Sequence, residues 1–142
     1  MRAYVNRGKR MKNDKTDNHE QLFWEEIDRL FPDMIKAIAS LSKKSYLSIT
    51  NLRTGITWWS ERAMDYFGMK ENYTIRGMEK ANRKIHPDDV ATFKRGFKER
   101  VDGKNLDTAW EYRIQDGDSY NRFNAMARVL YDEQKQPFII II

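Results

Sequence analysis

Ile85-His86-Pro87-Asp88-Asp89-Val90, continuing through Phe93, Phe97 and Val101 to Asp102-Gly103, is the stretch on which the fold turns. Val90, Phe93, Phe97 and Val101 recur at threes and fours, which places them on one stripe of a helix. Lys94, Arg95, Lys98, Glu99 and Arg100 make its polar side. Pro87 suits a first helical turn, where no amide donor is needed, and the carboxylates of Asp88 and Asp89 favour the positive end. Asp102-Gly103 closes the element. Adjacent helical positions point about 100° apart, so Asp88 and Asp89 read as helix-end electrostatics and not as an acid–base or metal pair.

Strand patterns flank this helix. After it, Thr108 to Ile114 alternates large apolar with polar residues, and Asp116-Gly117 turns the chain. Ser119 to Leu130 reads as one long strand, with Asn121, Phe123, Ala125, Ala127 and Val129 on one face. Pro137 to Ile142 is the last strand. Before the helix, Tyr46 to Leu52 and Ile56 to Trp59 form a hairpin around Arg53-Thr54-Gly55. Ser60 is positioned to cap a short helix, Glu61 to Phe67, that exits at Gly68. Residues 69–84 are polar and weakly patterned, and only short helices and loop are expected there. Two strands, helices, then three strands predict an α+β fold: a five-stranded antiparallel sheet with helices on one face.

Further upstream, residues 18–42 carry Leu22, Ile27, Leu30, Phe31, Met34, Ile35, Ile38 and Leu41 at helical spacing. Asn18 is the expected N-cap, with Gln21 at the capping-box position. Pro32 has no amide donor and disfavours helical geometry at Phe31, so either two short helices or one kinked helix is expected. The apolar stripe, too broad for a heptad seam, suits a domain face, a second subunit, or both.

Composition bounds the chemistry. The chain has 142 residues, 40% hydrophobic and 33% charged, with a net charge of +5, as expected of one soluble domain. It lacks cysteine and has two histidines, His19 and His86, which excludes disulfides, zinc–thiolate and iron–sulfur sites and cysteinyl-flavin photochemistry. No apolar run is long enough to span a bilayer. Residues 1–17 carry six basic and two acidic side chains, so +4 of the net charge sits there. They are expected to be a disordered basic tail, and the remaining near-neutral chain is not expected to bind nucleic acid. No phosphate loop, calcium loop or Ser/His/Asp set is present.

Several of these segments together resemble the PAS domain family. They are Trp58-Trp59-Ser60-Glu61 leading through Ala63 and Phe67 to Gly68, Ile85-His86-Pro87-Asp88-Asp89 with Phe93 and the helix to Gly103, Glu111-Tyr112-Arg113-Ile114 with Asp116-Gly117 and Tyr120, and the final Gln136-Pro137 turn. That turn departs from the family, which usually has a glycine before the proline. The resemblance spans about residues 44–142 and is closest to sensory modules preceding diguanylate cyclase domains or found in histidine kinases. It implies a cytoplasmic, non-enzymatic sensor at residues 43–142, part of a longer protein. Such a module would act on a covalently attached output domain, a diguanylate cyclase above all. It also implies a small cavity under the sheet for an unidentified small molecule, without a bound cofactor, and homodimerisation through the helical segment 18–42. A ligand-free dimerisation or interaction module is the alternative.

Candidate ligand-contacting residues are Trp58, Trp59, Phe67, Phe93, Phe97, Glu111, Arg113, Phe123 and Ala125; candidate dimer contacts are Leu22, Ile27, Leu30, Phe31, Met34 and Ile38. Trp58 and Trp59 must point to opposite faces of their strand. Glu111 and Arg113 share one face, where they would form an ion pair, hold a polar ligand, or lie exposed. His86 is expected to cap its helix and not to bind haem or metal. Met64, Met69, Met78 and Met126 could pack around varied shapes, yet on residue pattern alone a filled core is expected.

Overall fold

The structure, a computed structural model, describes residues 14–41 and 44–142. The N-terminal segment forms two helices, α1 (Asp14–Leu30) and α2 (Met34–Leu41). The break falls at Phe31-Pro32-Asp33, where Asp33 takes a left-handed φ of 66°, so the two-helix alternative holds. α1 begins at Asp14, ahead of the Asn18 expected as N-cap, and takes up residues 14–17 of the expected disordered tail. Residues 1–13 of that tail lie outside the described residues.

The hairpin follows as β1 (Ser48–Asn51) and β2 (Ile56–Trp59), then α3 (Glu61–Phe67). Ser60 caps α3 by accepting from the Ala63 amide at 3.3 Å, and Gly68 closes it at φ 66°. The weakly patterned stretch contains β3 (Tyr73–Ile75) and α4 (Gly77–Asn82); the strand was not expected there. A 3-10 turn (Pro87–Asp89) leads into α5 (Val90–Val101), and His86 Nδ1 accepts from the Asp88 amide at 3.1 Å. Capping is therefore what His86 does.

The expected long strand is two: β5 (Ser119–Ala125) pairs with β4 (Trp110–Asp116), and β6 (Arg128–Tyr131) pairs with β7 (Pro137–Ile141). The main sheet is five-stranded and antiparallel, in the order β3-β2-β1-β7-β6, and β4-β5 is a ribbon of its own. The expected strand number is met, with β3 supplying an edge and the β4-β5 ribbon turning away at Met126-Ala127.

Helices cover both faces of this sheet. On one, Phe23, Trp24 and Ile27 of α1 and Ile35 of α2 pack with Ile49, Ile56, Tyr73, Phe138 and Ile139. Phe23, Ile27, Ile35, Ile49, Phe138 and Ile139 are all wholly shielded from solvent. The Trp24 indole N–H donates to the Tyr73 hydroxyl. On the opposite side, α3, α4 and α5 enclose a second and a third cluster with the β4-β5 ribbon and the inner residues of β2 and β7. Here Arg100 is buried beneath α5, its guanidinium 4.0 Å from the Trp110 ring centroid, and donates to the Gly96 and Thr108 carbonyls.

Candidate functional site

The second face does not close. A cavity of about 510 Å³ lies between β1, β2, the β4-β5 ribbon and helices α3 to α5, and the expectation of a filled core is corrected by it. Its position follows from the break at Met126-Ala127. Had residues 119–130 run straight along β7, the ribbon would have continued the sheet; instead Asn124, Ala125 and Met126 line the space facing Ser48 and Ile142. Small residues enlarge it: Ala63 of α3, Ala81 of α4 and Ala125 of β5 are all wall residues.

Of the residues expected to contact a ligand, Trp59, Phe67, Phe93, Phe123 and Ala125 line this cavity. Trp59 is nearly fully buried, and its Nε1 donates to Thr74 Oγ1 at 2.7 Å. Gly77 makes that bond possible, since a Cβ there would lie 1.9 Å from Thr74 Oγ1 and 2.8 Å from Trp59 Nε1. Phe93 meets Tyr112 edge-to-face at 4.8 Å, and Trp59 meets Phe67 at 5.6 Å. These rings hold one another in place along the cavity wall.

Four expected residues are elsewhere. Trp58 points to the opposite face and packs on the α1 cluster, as alternation along β2 requires. Phe97 packs against the second cluster beside Phe93, behind the cavity wall. Glu111 is exposed and lies 3.5 Å from Arg122. Arg113 is claimed by Asp89, whose Oδ2 accepts from both the Arg113 backbone amide and Nε at 2.8 Å and whose Oδ1 accepts from Nη2 at 2.9 Å. Glu111 and Arg113 thus neither pair with each other nor reach the cavity. Asp89 makes no side-chain bond to its own helix end; its carboxylate stands at that end, as expected, and in addition forms this clamp. The Arg113 hydrogen bonds, side chain first and backbone next, hold the Asp89 carboxyl well below the usual carboxylate range.

Sequence reasoning missed much of the wall. Tyr46, Tyr112, Asn82, Asn124 and the serines at 45 and 48 all line the cavity, together with Met78 and Met126, two of the methionines expected to pack around varied shapes. Tyr46, Tyr66 and Phe123 form a triangle of edge-to-face rings with centroids 5.3 to 5.5 Å apart. Arg62 stacks on Tyr46, its guanidinium carbon 4.5 Å from the ring centroid. Asn121 donates to the Tyr66 hydroxyl at 3.2 Å. Burial raises the Tyr66 hydroxyl above its ordinary value, partly offset by that bond, and burial raises the Tyr112 hydroxyl further. Both phenols therefore stay neutral at ordinary pH. Asn82 Oδ1, at the end of α4, is buried with no hydrogen-bond partner. Alternation in β4 and β5 was the available signal for Tyr112; nothing local marks Tyr46 or Asn82.

Among the described residues no group of three His, Cys, Asp or Glu side chains is placed to hold a metal, and no helix is long and apolar enough to cross a membrane.

The candidate dimer residues divide. Ile27 is fully buried against the chain's own sheet and is withdrawn from that set. Leu30, Phe31 and Ile38 are half-buried against the same cluster, whereas Leu22 and Met34 are exposed.

The family profile described as PAS fold matches residues 56–142. Two solved structures share the architecture. One is a sensory box histidine kinase/response regulator from Burkholderia thailandensis, 18% identical, covering 77% of this chain and 80% of that one with a TM-score of 0.54. The other is the N-terminal domain of a diguanylate cyclase with PAS/PAC sensor from Marinobacter aquaeolei, 15% identical, covering 67% of this chain and 87% of that one with a TM-score of 0.53. No curated protein matches in sequence.

Proposed function

The chain belongs to the PAS fold family, and on that premise we propose that it is a sensory module whose cavity takes up a small molecule and whose sheet relays occupancy to a covalently attached output domain. The observation that carries this reading is the cavity of about 510 Å³, walled by aromatic and small side chains. Sites for small ligands fall in the range of about 300–1,000 Å³ and combine apolar walls with a few polar groups.

The sheet supplies a physical route between its two sides. β2 presents Trp59 to the cavity and the adjacent Trp58 to the α1 cluster; β1 presents Ser48 to the cavity and Ile49 to that cluster. A ligand that displaces Trp59 or Ser48 moves strands on which α1 and α2 rest. Only a ligand that binds one arrangement better than the other shifts the balance, and a differential of a few kcal/mol suffices. The output domain would be a diguanylate cyclase or a histidine kinase, the kinds of protein in which the two similar folds occur. The setting is cytoplasmic and the module itself performs no catalysis.

A second reading is favoured by the exposed Leu22, Met34 and Leu41 beside half-buried Leu30, Phe31 and Ile38. Here the module is a homodimer joined through α1 and α2, and its cavity need not be occupied. Native mass spectrometry of the gently purified 142-residue chain separates the readings. A discrete retained mass, lost in the cavity-filling variant Ala125→Leu, is the result expected of the sensor. A bare dimer that Leu22→Glu with Met34→Glu converts to monomer would support the scaffold instead.

A further inference from the structure

We propose that His86 makes the start of α5 proton-sensitive: a proton on its imidazole exchanges one cap for another and loosens the hold of that turn on β4. The inference goes beyond the cavity, because it gives the module an input that needs no ligand.

The cap works only while Nδ1 keeps its lone pair. His86 Nδ1 accepts from the Asp88 amide at 3.1 Å, and a ring nitrogen that has gained a proton donates and no longer accepts. A receiver for that proton stands beside it, since Asp88 Oδ2 lies 3.9 Å from Nδ1 on a side chain that is 80% exposed. Protonation therefore replaces a bond to the Asp88 backbone by a contact with its carboxylate. Histidine is the side chain whose ordinary titration falls between about pH 5 and 8.

The groups facing the ring favour the exchange. Asp88 and Asp89 stand on its own turn, and Asp89 is committed to Arg113 of β4, the cation opposite. From β5, Tyr120 brings an aromatic ring whose centroid is 4.6 Å from that of His86.

The same turn holds β4. Arg113 donates its backbone amide to Asp89 Oδ2 at 2.8 Å, and its carbonyl accepts from the His86 amide at 2.9 Å. Tyr112 and Ile114, on either side of it, line the cavity. A turn that loses its cap thus loosens the strand that forms one wall, and the proton acts on the cavity without entering it.

Nuclear magnetic resonance of the full chain between about pH 8 and 5.5 tests this across the histidine range, with His19, the second histidine, as internal control. After correction for the intrinsic exchange rate, the Asp88 amide should become about fivefold less protected as the His86 ring titrates, the change expected from losing one side-chain cap. The Arg113 amide and Nε signals should shift with the same midpoint. His86→Asn keeps an acceptor for the cap and has no proton to gain, so both responses should vanish; in His19→Asn they should persist. An Asp88 amide that stays unchanged while the His86 ring titrates would overturn the proposal, as would a response that survives in His86→Asn. If Asp88 responds and Arg113 does not, the link to β4 falls. Should His86→Asn fail to fold, the wild-type midpoints decide: responses that follow the His86 ring support the proposal, and responses that follow His19 overturn it.

Discussion

The two faces of the main sheet are built from similar side chains and reach opposite outcomes. Toward α1 and α2, Phe23, Ile27, Ile35, Ile49, Phe138 and Ile139 are wholly buried against one another. Toward α3, α4 and α5, the chain brings comparable apolar bulk in Trp59, Phe67, Phe93, Tyr112 and Phe123, and a cavity of about 510 Å³ remains among them. Both faces carry rings braced by one another, Phe23 with Trp24 and Tyr73 on one and Trp59 with Phe67 on the other, so ring bracing alone does not separate them. What differs is the β4-β5 ribbon, which leaves the sheet and holds its own rings away from it, so that they bound an open space. The closed face holds the fold together, and the open face is available for function.

That contrast can be broken most sharply at Phe138. Phe138→Ala should destabilise the chain by about 3–5 kcal/mol, because its ring is fully buried against Phe31 and the α1 cluster. Phe123→Ala, on the half-buried cavity side, should cost about 2 kcal/mol or less, since one flank of that ring already lacks packing partners. Urea denaturation of both variants measures the difference; equal costs would mean the cavity is packed like the closed face.

Gly77→Ala comes next in size. The added methyl would overlap Thr74 Oγ1 and crowd Trp59 Nε1, so the bond between them must break, at about 1–3 kcal/mol. Thermal melting reports the loss, and a shifted tryptophan emission would place it at Trp59. Ala125→Leu should cost less, within about 1 kcal/mol, because it grows into existing space. A cost near 3 kcal/mol would show that no such space is there.

The smallest effect concerns the Asp89–Arg113 clamp, which lies outside the cavity. Asp89 is held below its usual value of 3.8 by Arg113, so the unfolded state takes up protons first as pH falls. The clamp's contribution is therefore complete above 3.8 and fades as pH drops below it toward the folded value. Urea midpoints of wild type and Asp89→Asn should differ near neutrality and converge in acid. A gap that is constant with pH would show that the charge of Asp89 contributes nothing.

Local signals carried much of the fold. Pro87 and the His86 cap marked the start of α5, Ser60 and Gly68 bounded α3, and Pro32 broke the N-terminal helical run, each through backbone chemistry acting within a few residues. β3 escaped because three residues between polar segments carry too little alternation to read, and its pairing with β2 supplies what its own sequence lacks. The split between β5 and β6 escaped for the opposite reason: alternation runs unbroken through Met126-Ala127, and only the choice of pairing partner, β4 before it and β7 after it, bends the chain.

For the site, helical spacing put Phe93 on the apolar stripe of its helix, and alternation put Phe123 and Ala125 on one face of their strand. Trp58 and Trp59 were set to opposite faces without a choice of which turns inward, since side-chain direction along an element is a property of the element alone. Whether inward meant packed or hollow was a different question. It depended on how far the β4-β5 ribbon diverges from β7, on Gly77 admitting Trp59 to Thr74, and on Asp89 removing Arg113 from reach across 24 residues of chain. The sequence by itself determined most of the helices and the β1-β2 hairpin, with the caps at Ser60, Gly68 and His86, because those follow from interactions between near neighbours. The tertiary structure alone decided the cavity and which side chains line it, because a void is set by the distance between elements that no local pattern encodes.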